Sequence, residues 1–180
     1  MINPKTNEYL KLKEFILSSQ FQWSYLPYNV TKQSDKTYSQ QYDSEGTPYN
    51  NFPIYYNVIL ERKETRKGVR PNPLLSKFLR DYEQILEHNN ILIKNPYRIC
   101  VNASHPTPNN TKPSPPHIDH GYPHRNMIIY LTPTYNGHTI VQGEPHPREE
   151  DDILVFDGVQ HHLYPPQSNR RVVIVCTFPK

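Results

Sequence analysis

Apolar residues recur along this chain at two periods, and the change from one to the other marks its organisation. Between residues 7 and 20, Leu12, Phe15 and Ile16 share one face of a 3.6-residue repeat, with Lys11, Lys13 and Glu14 interspersed. That spacing predicts an amphipathic helix, and Trp23 and Tyr25 then anchor the following segment to the core. Residues 31–52 carry no apolar period and are rich in Ser, Thr, Gln, Asn and Tyr, which predicts a surface loop or a lid. Residues 53–62 read as a strand, and Lys63 to Arg70 as a basic, solvated turn. Asn72-Pro73 opens the clearest helix, because Asn is a good N-cap and Pro is favoured at the first helical position. Leu75, Phe78, Leu79, Tyr82, Ile85 and Leu86 follow at helical spacing to about His88, where Asn89-Asn90 ends the run. This helix is expected to pack on the outside of a sheet.

After residue 90 the period shortens to two. Ile91–Lys94 and Tyr97–Asn102 read as strands. Ser104 to Pro116 is thirteen residues with five prolines, a stiff connection that delivers the chain directly to His117. Long irregular loops inside compact domains are often functional, so this one is expected to border an active-site mouth. From His117 to Phe178, short strands alternate with turns and no helix intervenes. That pattern predicts a mainly β (α+β) chain built on a jelly roll, the cupin-like double-stranded β-helix, with the N-terminal and middle helices outside it.

A length of 180 residues suits one domain, 1–180, divided into a helical and loop support region (1–90) and a jelly-roll core (91–180). Fourteen tyrosines, nineteen prolines and only six glycines fit strands joined by long loops. The net charge of +3, without a long Lys/Arg run, gives no nucleic-acid footprint, although it does not exclude one. Cys100 and Cys176 lack metal spacing and read as buried free thiols. No segment is apolar enough to span a membrane, and the first residues have no signal-like apolar core, so a cytoplasmic protein is expected.

The candidate chemistry begins at His117-Ile118-Asp119. On a strand, residues i and i+2 point to one side, so both side chains reach one metal. A third ligand from a neighbouring strand would complete a two-histidine, one-carboxylate face, which suits Fe(II) with open positions. His161 and His162 both offer that ligand. Arg170 and Arg171 enter the last strand, and only one of them can point inward to clamp an anion. A guanidinium fork matches a carboxylate bidentately.

Several stretches together resemble the 2-oxoglutarate- and Fe(II)-dependent oxygenases, in particular the prolyl-4-hydroxylase-like branch and its small tailed-phage members. They are Pro116-His117-Ile118-Asp119-His120-Gly121-Tyr122-Pro123-His124, Met127–Leu131, Asn136–Ile140, Ile153–His162 and Arg170–Val173, with weaker likeness at Ile16–Tyr25 and Tyr97–Asn102. The resemblance implies Fe(II) bound by His117, Asp119 and His162, since the phage members place the third ligand five residues after the Asp of Phe156-Asp157. It implies 2-oxoglutarate held by Arg171 and by Asn102, and O2 as second cosubstrate. Val173 stands where many members carry a hydroxyl residue. The implied reaction consumes 2-oxoglutarate and O2, releases succinate and CO2, and hydroxylates an unactivated C–H bond, for example in a peptidyl proline. His120, Tyr122 and His124 are either substrate contacts or plain surface residues. The expected partner is a substrate peptide, protein or small molecule, with no membrane. Two other readings remain: a catalytically silent jelly-roll binding or virion component, and a cupin-like metalloenzyme that does not use 2-oxoglutarate.

Overall fold

The computed structural model describes residues 5–27, 45, 46, 49, 52–91, 93, 95–107 and 112–180. Nearly all of the expected polar loop at 31–52 lies outside these residues. Two helices, α1 (Asn7–Leu17) and α2 (Leu75–His88), accompany nine strands. These are β1 (Ser24–Leu26), β2 (Ile54–Leu60), β3 (Arg98–Ser104), β4 (Arg125–Tyr130), β5 (Thr139–Val141), β6 (Glu144–His146), β7 (Ile153–Asp157), β8 (His161–Leu163) and β9 (Arg171–Phe178). All pairings among them are antiparallel, in a six-stranded sheet of order β1-β2-β3-β9-β4-β7 and a three-stranded sheet of order β6-β5-β8. The fold is the expected jelly roll, mainly β with two helices outside it.

Alternation along β9 divides the interior in two. Val172, Ile174, Cys176 and Phe178 join Ile99, Val101 and Ala103 of β3 and Met127 and Ile129 of β4 in one cluster against the helices. Tyr9, Leu12 and Ile16 of α1 and Phe78, Tyr82, Ile85 and Leu86 of α2 complete it, all buried. The intervening residues Val173 and Val175 turn to the opposite face beside Ile128, Tyr130 and Leu154. Because the side-chain period is two, register alone sends each residue to the helices or to the inter-sheet space. In β2, Ile59 keeps the parity of Asn57 and joins the helix-side core, and a register shift between Val58 and Leu60 brings Leu60 opposite Ile99 to pack against it.

The helix boundaries differ modestly from the sequence pattern. Thr6 caps α1 by accepting a hydrogen bond from the Tyr9 amide, and the helix ends at Leu17 rather than Gln20. Asn72 does not cap α2. Its Oδ1 accepts from the Leu74 amide and its Nδ2 donates to Val58 O and Asn57 Oδ1, which ties the entry turn to β2. Ile91 and Ile93 belong to no strand. They pack on the helix-side core as a connection. Cys100 and Cys176 are buried free thiols, and burial pushes the Cys176 thiol up to about 12. Among the described residues, no helix is long and apolar enough to cross a membrane.

Candidate metal centre

His117 sits just before β4 and makes an isolated antiparallel bridge to His161, the first residue of β8. Each donates its amide N–H to the other's carbonyl at 3.0 Å. Residues directly opposed in an antiparallel pair place their side chains on the same side, and the two imidazole centroids lie 4.5 Å apart. Asp119, two residues on, faces the same way. One donor atom from each of His117, Asp119 and His161 lies within 4.8 Å of the others.

The expected third ligand, His162, is not in this group. That residue pairs with Ile140, points to the other side of β8, and its ring meets Tyr49 at 6.0 Å. It borders the cavity without joining the three-residue group. The two histidines are adjacent, so only the bridge from His117 distinguishes them.

The electrostatics suit a cation. Burial pushes the His117 imidazole down to about 4, with the neighbouring His161 acting in the same direction, so the ring is neutral and carries a lone pair. Burial would raise Asp119, but contact with His161 and the charge of His117 outweigh it and hold the carboxylate ionised. Burial lowers His161, and Asp119 more than reverses this, leaving it raised. Carbonyl oxygens orient the rings: Nδ1 of His161 donates to Val159 O at 2.9 Å, and Nδ1 of His117 meets Pro115 O at 3.4 Å. A carbonyl only accepts, so Nδ1 carries the proton and Nε2 is left free as a ligand. Asp119 Oδ2 is buried, accepts no hydrogen bond, and lies 3.4 Å from His161 Nε2. An orphaned buried carboxylate oxygen beside two free imidazole nitrogens fits a divalent cation with open positions.

The centre opens into a cavity of about 610 Å³ between the sheets. Arg171 lines it and is 4 % exposed. Its Nη2 donates to Thr139 Oγ1 at 3.0 Å, its guanidinium lies 5.2 Å from the Tyr130 ring centre, and its Nε is buried without a partner. Arg170 faces away, stacked 5.7 Å over Trp23, so Arg171 is the inward residue of the pair. Asn102 also lines the cavity, and the Cys100 thiol donates to its Oδ1 at 3.0 Å, leaving its NH2 group free. Val173 sits on the wall where a hydroxyl residue was expected.

The Ser104–Pro116 connection meets the cavity at Ser104, and its far end is tied to β8. Ser114 donates its amide to Leu163 O, and Ser114 Oγ accepts from the Leu163 amide. Residues 108–111 of this connection are outside the described residues. His120 and His124 are not surface residues, being 6 % and 2 % exposed. His120 Nε2 bonds Thr177 Oγ1 at 2.7 Å and its ring stacks on Tyr122, while His124 packs edge-on to His120. Gly158 passes so close to His124 that a Cβ there would meet the ring at 2.4 Å.

Arg62 escaped the sequence reading, which ended a strand there. Its Nη1 donates to the Asp119 carbonyl at 2.9 Å, and its Nη2 lies 3.9 Å from Asp119 Oδ1. No local pattern separates it from the basic turn that follows.

No family model matches the sequence, and no curated protein matches it. Among solved structures, the chain is similar to an oxidoreductase of the 2OG-Fe(II) oxygenase family from Burkholderia pseudomallei. That match has a TM-score of 0.52 and 15% identity, covering 70% of this chain and 68% of the other. Weaker matches include the viral collagen prolyl hydroxylase of Paramecium Bursaria Chlorella virus-1 (TM-score 0.42, 11% identity, 71% of this chain and 80% of that one). Another is a predicted oxalate decarboxylase from Thermotoga maritima (TM-score 0.44, 10% identity, 72% and 84%). At these identities the likeness is one of fold.

Proposed function

We propose that this chain is a 2-oxoglutarate-dependent Fe(II) dioxygenase that hydroxylates an unactivated C–H bond, with a peptidyl residue such as proline among its candidate substrates. One observation carries the reading. A single cavity holds two complementary orphans, the Asp119 Oδ2 acceptor within a His117/Asp119/His161 group and the buried Arg171 Nε donor.

Fe(II), with 2-oxoglutarate and O2, would supply the oxidising power, converting 2-oxoglutarate to succinate and CO2 as one oxygen atom enters the substrate. The chain's own groups do the rest. His117, Asp119 and His161 would hold the cation through two imidazole nitrogens and one carboxylate oxygen, the metal displacing the proton that Asp119 favours on His161. Arg171 binds the distal carboxylate of the cosubstrate, oriented by Thr139 and the Tyr130 ring. Asn102 presents its NH2 group to the cavity because the Cys100 thiol occupies its oxygen. Ile128, Val173 and Val175 give the cavity an apolar floor that excludes water. Arg62 fixes the Asp119 main chain and so acts as a positioning residue.

The test is an anaerobic Fe(II) titration followed by a succinate assay with 2-oxoglutarate in air. One-to-one metal binding with 2-oxoglutarate-dependent succinate release is expected. A chain that binds Fe(II) but never consumes 2-oxoglutarate belongs to another reaction class.

A further inference from the structure

The cavity has a second cationic pole that the proposed chemistry leaves unused. Arg98 begins β3 on the face that carries Asn102 and Ser104, and it lines the cavity. It pairs in register with Thr177, whereas Ser104 pairs with Arg171. Six residue steps along β9 therefore separate the backbone at the Arg98 end from that at the Arg171 end, roughly 20 Å along an extended strand. A carboxylate held by Arg171 thus sits at the opposite end of the strand from Arg98.

Arg98 is half-buried, and among the described residues its guanidinium has no hydrogen bond or ion pair. Arg62 lines the same cavity, held to the Asp119 carbonyl at 2.9 Å. A half-buried guanidinium without a partner is unfavourable, which favours an anion brought to Arg98 from the cavity. Neither acid on the cavity wall is paired with Arg98. Asp119 belongs to the candidate metal group and its Oδ1 already lies 3.9 Å from Arg62 Nη2, and Glu61 has its Oε2 accepting from Thr65 Oγ1 at 3.3 Å.

Charge counting agrees. Arg62, Arg98 and Arg171 face Glu61 and Asp119 in this cavity. With a dication and a dianionic cosubstrate in place, one positive charge is left over.

Resting on the dioxygenase reading, we infer that Arg98, with Arg62, is the recognition site for an oxyanion of the substrate, a carboxylate or a phosphate. The substrate is then an acid oriented by its charged end, with its C–H bond directed at the metal, rather than a neutral peptide segment. Arg62 lies against a metal ligand, so an anion shared by both guanidiniums sits at a fixed distance from the reacting centre. A planar fork suits both oxyanions, and it explains why a single Lys would serve less well.

The experiment uses the full chain loaded with redox-inert Zn(II) and saturating 2-oxoglutarate, so that Arg171 is occupied. Inorganic phosphate and, separately, acetate are titrated calorimetrically at constant ionic strength. Saturable binding is expected, weakened about tenfold or more in Arg98→Gln, which corresponds to about 1.4 kcal/mol. The loss should be smaller in Arg98→Lys. Tighter binding of phosphate than acetate identifies a phosphate ester, and the reverse order a carboxylic acid. A separate titration of 2-oxoglutarate should find its affinity alike in Arg98→Gln and the wild type.

The inference is overturned if neither anion saturates, if Arg98→Gln binds both as the wild type does, or if that variant loses 2-oxoglutarate in parallel. Should Arg98→Gln not fold, the wild-type chain decides. The Nε–Hε resonance of Arg98, assigned by its disappearance in Arg98→Lys, must then move on phosphate addition. If 2-oxoglutarate fails to bind the wild type at all, the dioxygenase reading falls. The same anion titrations, without cosubstrate, still judge Arg98.

Discussion

The two faces of the six-stranded sheet obey the same alternation and serve opposite ends. Toward the helices, Ile99, Met127, Ile129 and Ile174 form a closed apolar layer with essentially no exposure. Toward the smaller sheet, the intervening positions of the same strands carry Arg98, Asn102, Ser104 and Arg171 around an open cavity. One face supplies hydrophobic stabilisation, which lets the other bury charges that a core could not support without partners. Stability and chemistry are therefore separable by residue parity along a single strand.

The sharpest way to break that separation is a deletion on the sealed face. Ile174→Ala should lower unfolding free energy by about 3 kcal/mol, because it leaves a cavity in a packed layer. Val175→Ala, next to it but facing the cavity, should cost only roughly 1–2 kcal/mol for the lost methyl groups. Urea denaturation compares them, and equal losses would mean the inner face is as tightly packed as the outer. Folded Ile174→Ala should bind Fe(II) normally.

A metal-centre substitution reverses the profile. His161→Ala and Asp119→Ala should each weaken Fe(II) by about a hundredfold or more, since even outer-shell groups are worth about 10–100-fold. His162→Ala should leave the affinity within about threefold, a range below 1 kcal/mol. An anaerobic titration in which His162→Ala, and not His161→Ala, loses the metal would overturn the assignment made from the His117 bridge.

The sheet pattern, both helices, the His117/Asp119 pair and Arg171 were legible because each follows from a local period or spacing. His161 was not. His161 and His162 differ only in which of them lies opposite His117, and cross-strand register between distant segments leaves no trace in either segment alone. Arg62 was hidden for a similar reason, since its contact with the Asp119 carbonyl spans 57 residues. His120 and His124 looked like surface residues because polar side chains usually are, yet stacking with Tyr122 and the close approach of Gly158 bury them.

Arg171→Ala should raise the apparent KM for 2-oxoglutarate about tenfold or more with Fe(II) affinity unchanged. A hydrogen bond to a charged group is worth about 1.5–3 kcal/mol, and about 1.4 kcal/mol is tenfold. If Arg170→Ala shows this effect instead, the inward and outward assignments of β9 are exchanged.

The smallest expected effect lies at the latch of α1 on the helix side. Asp151, at a φ of 68°, receives hydrogen bonds from Tyr9 Oη and Lys13 Nζ. Burial alone would raise its pKa, but Lys13, Tyr9 and Lys5 lower it overall. A depressed folded pKa contributes stability that is complete above the ordinary carboxylate range and is lost as pH falls through the folded value. Asp151→Asn tolerates the same backbone, should cost about 1 kcal/mol at neutral pH, and should flatten this acid limb. Thermal melts between pH 7 and pH 2 measure it. A wild type whose melting temperature does not fall along that limb would show that the latch carries no net charge stabilisation.

The strand order has a consequence for the time at which the protein becomes competent. β9 lies between β3 and β4, yet of all the described strands it is the last to leave the ribosome. Until it emerges, the large sheet exists only as two pieces, β1-β2-β3 and β4-β7, each with an open edge ready to pair with another chain. The strand that joins them begins with Arg171, so closure of the sheet and delivery of the inward guanidinium are one event. A nascent chain stopped before residue 171 holds all three candidate metal ligands in sequence and has neither a closed sheet nor the inward guanidinium.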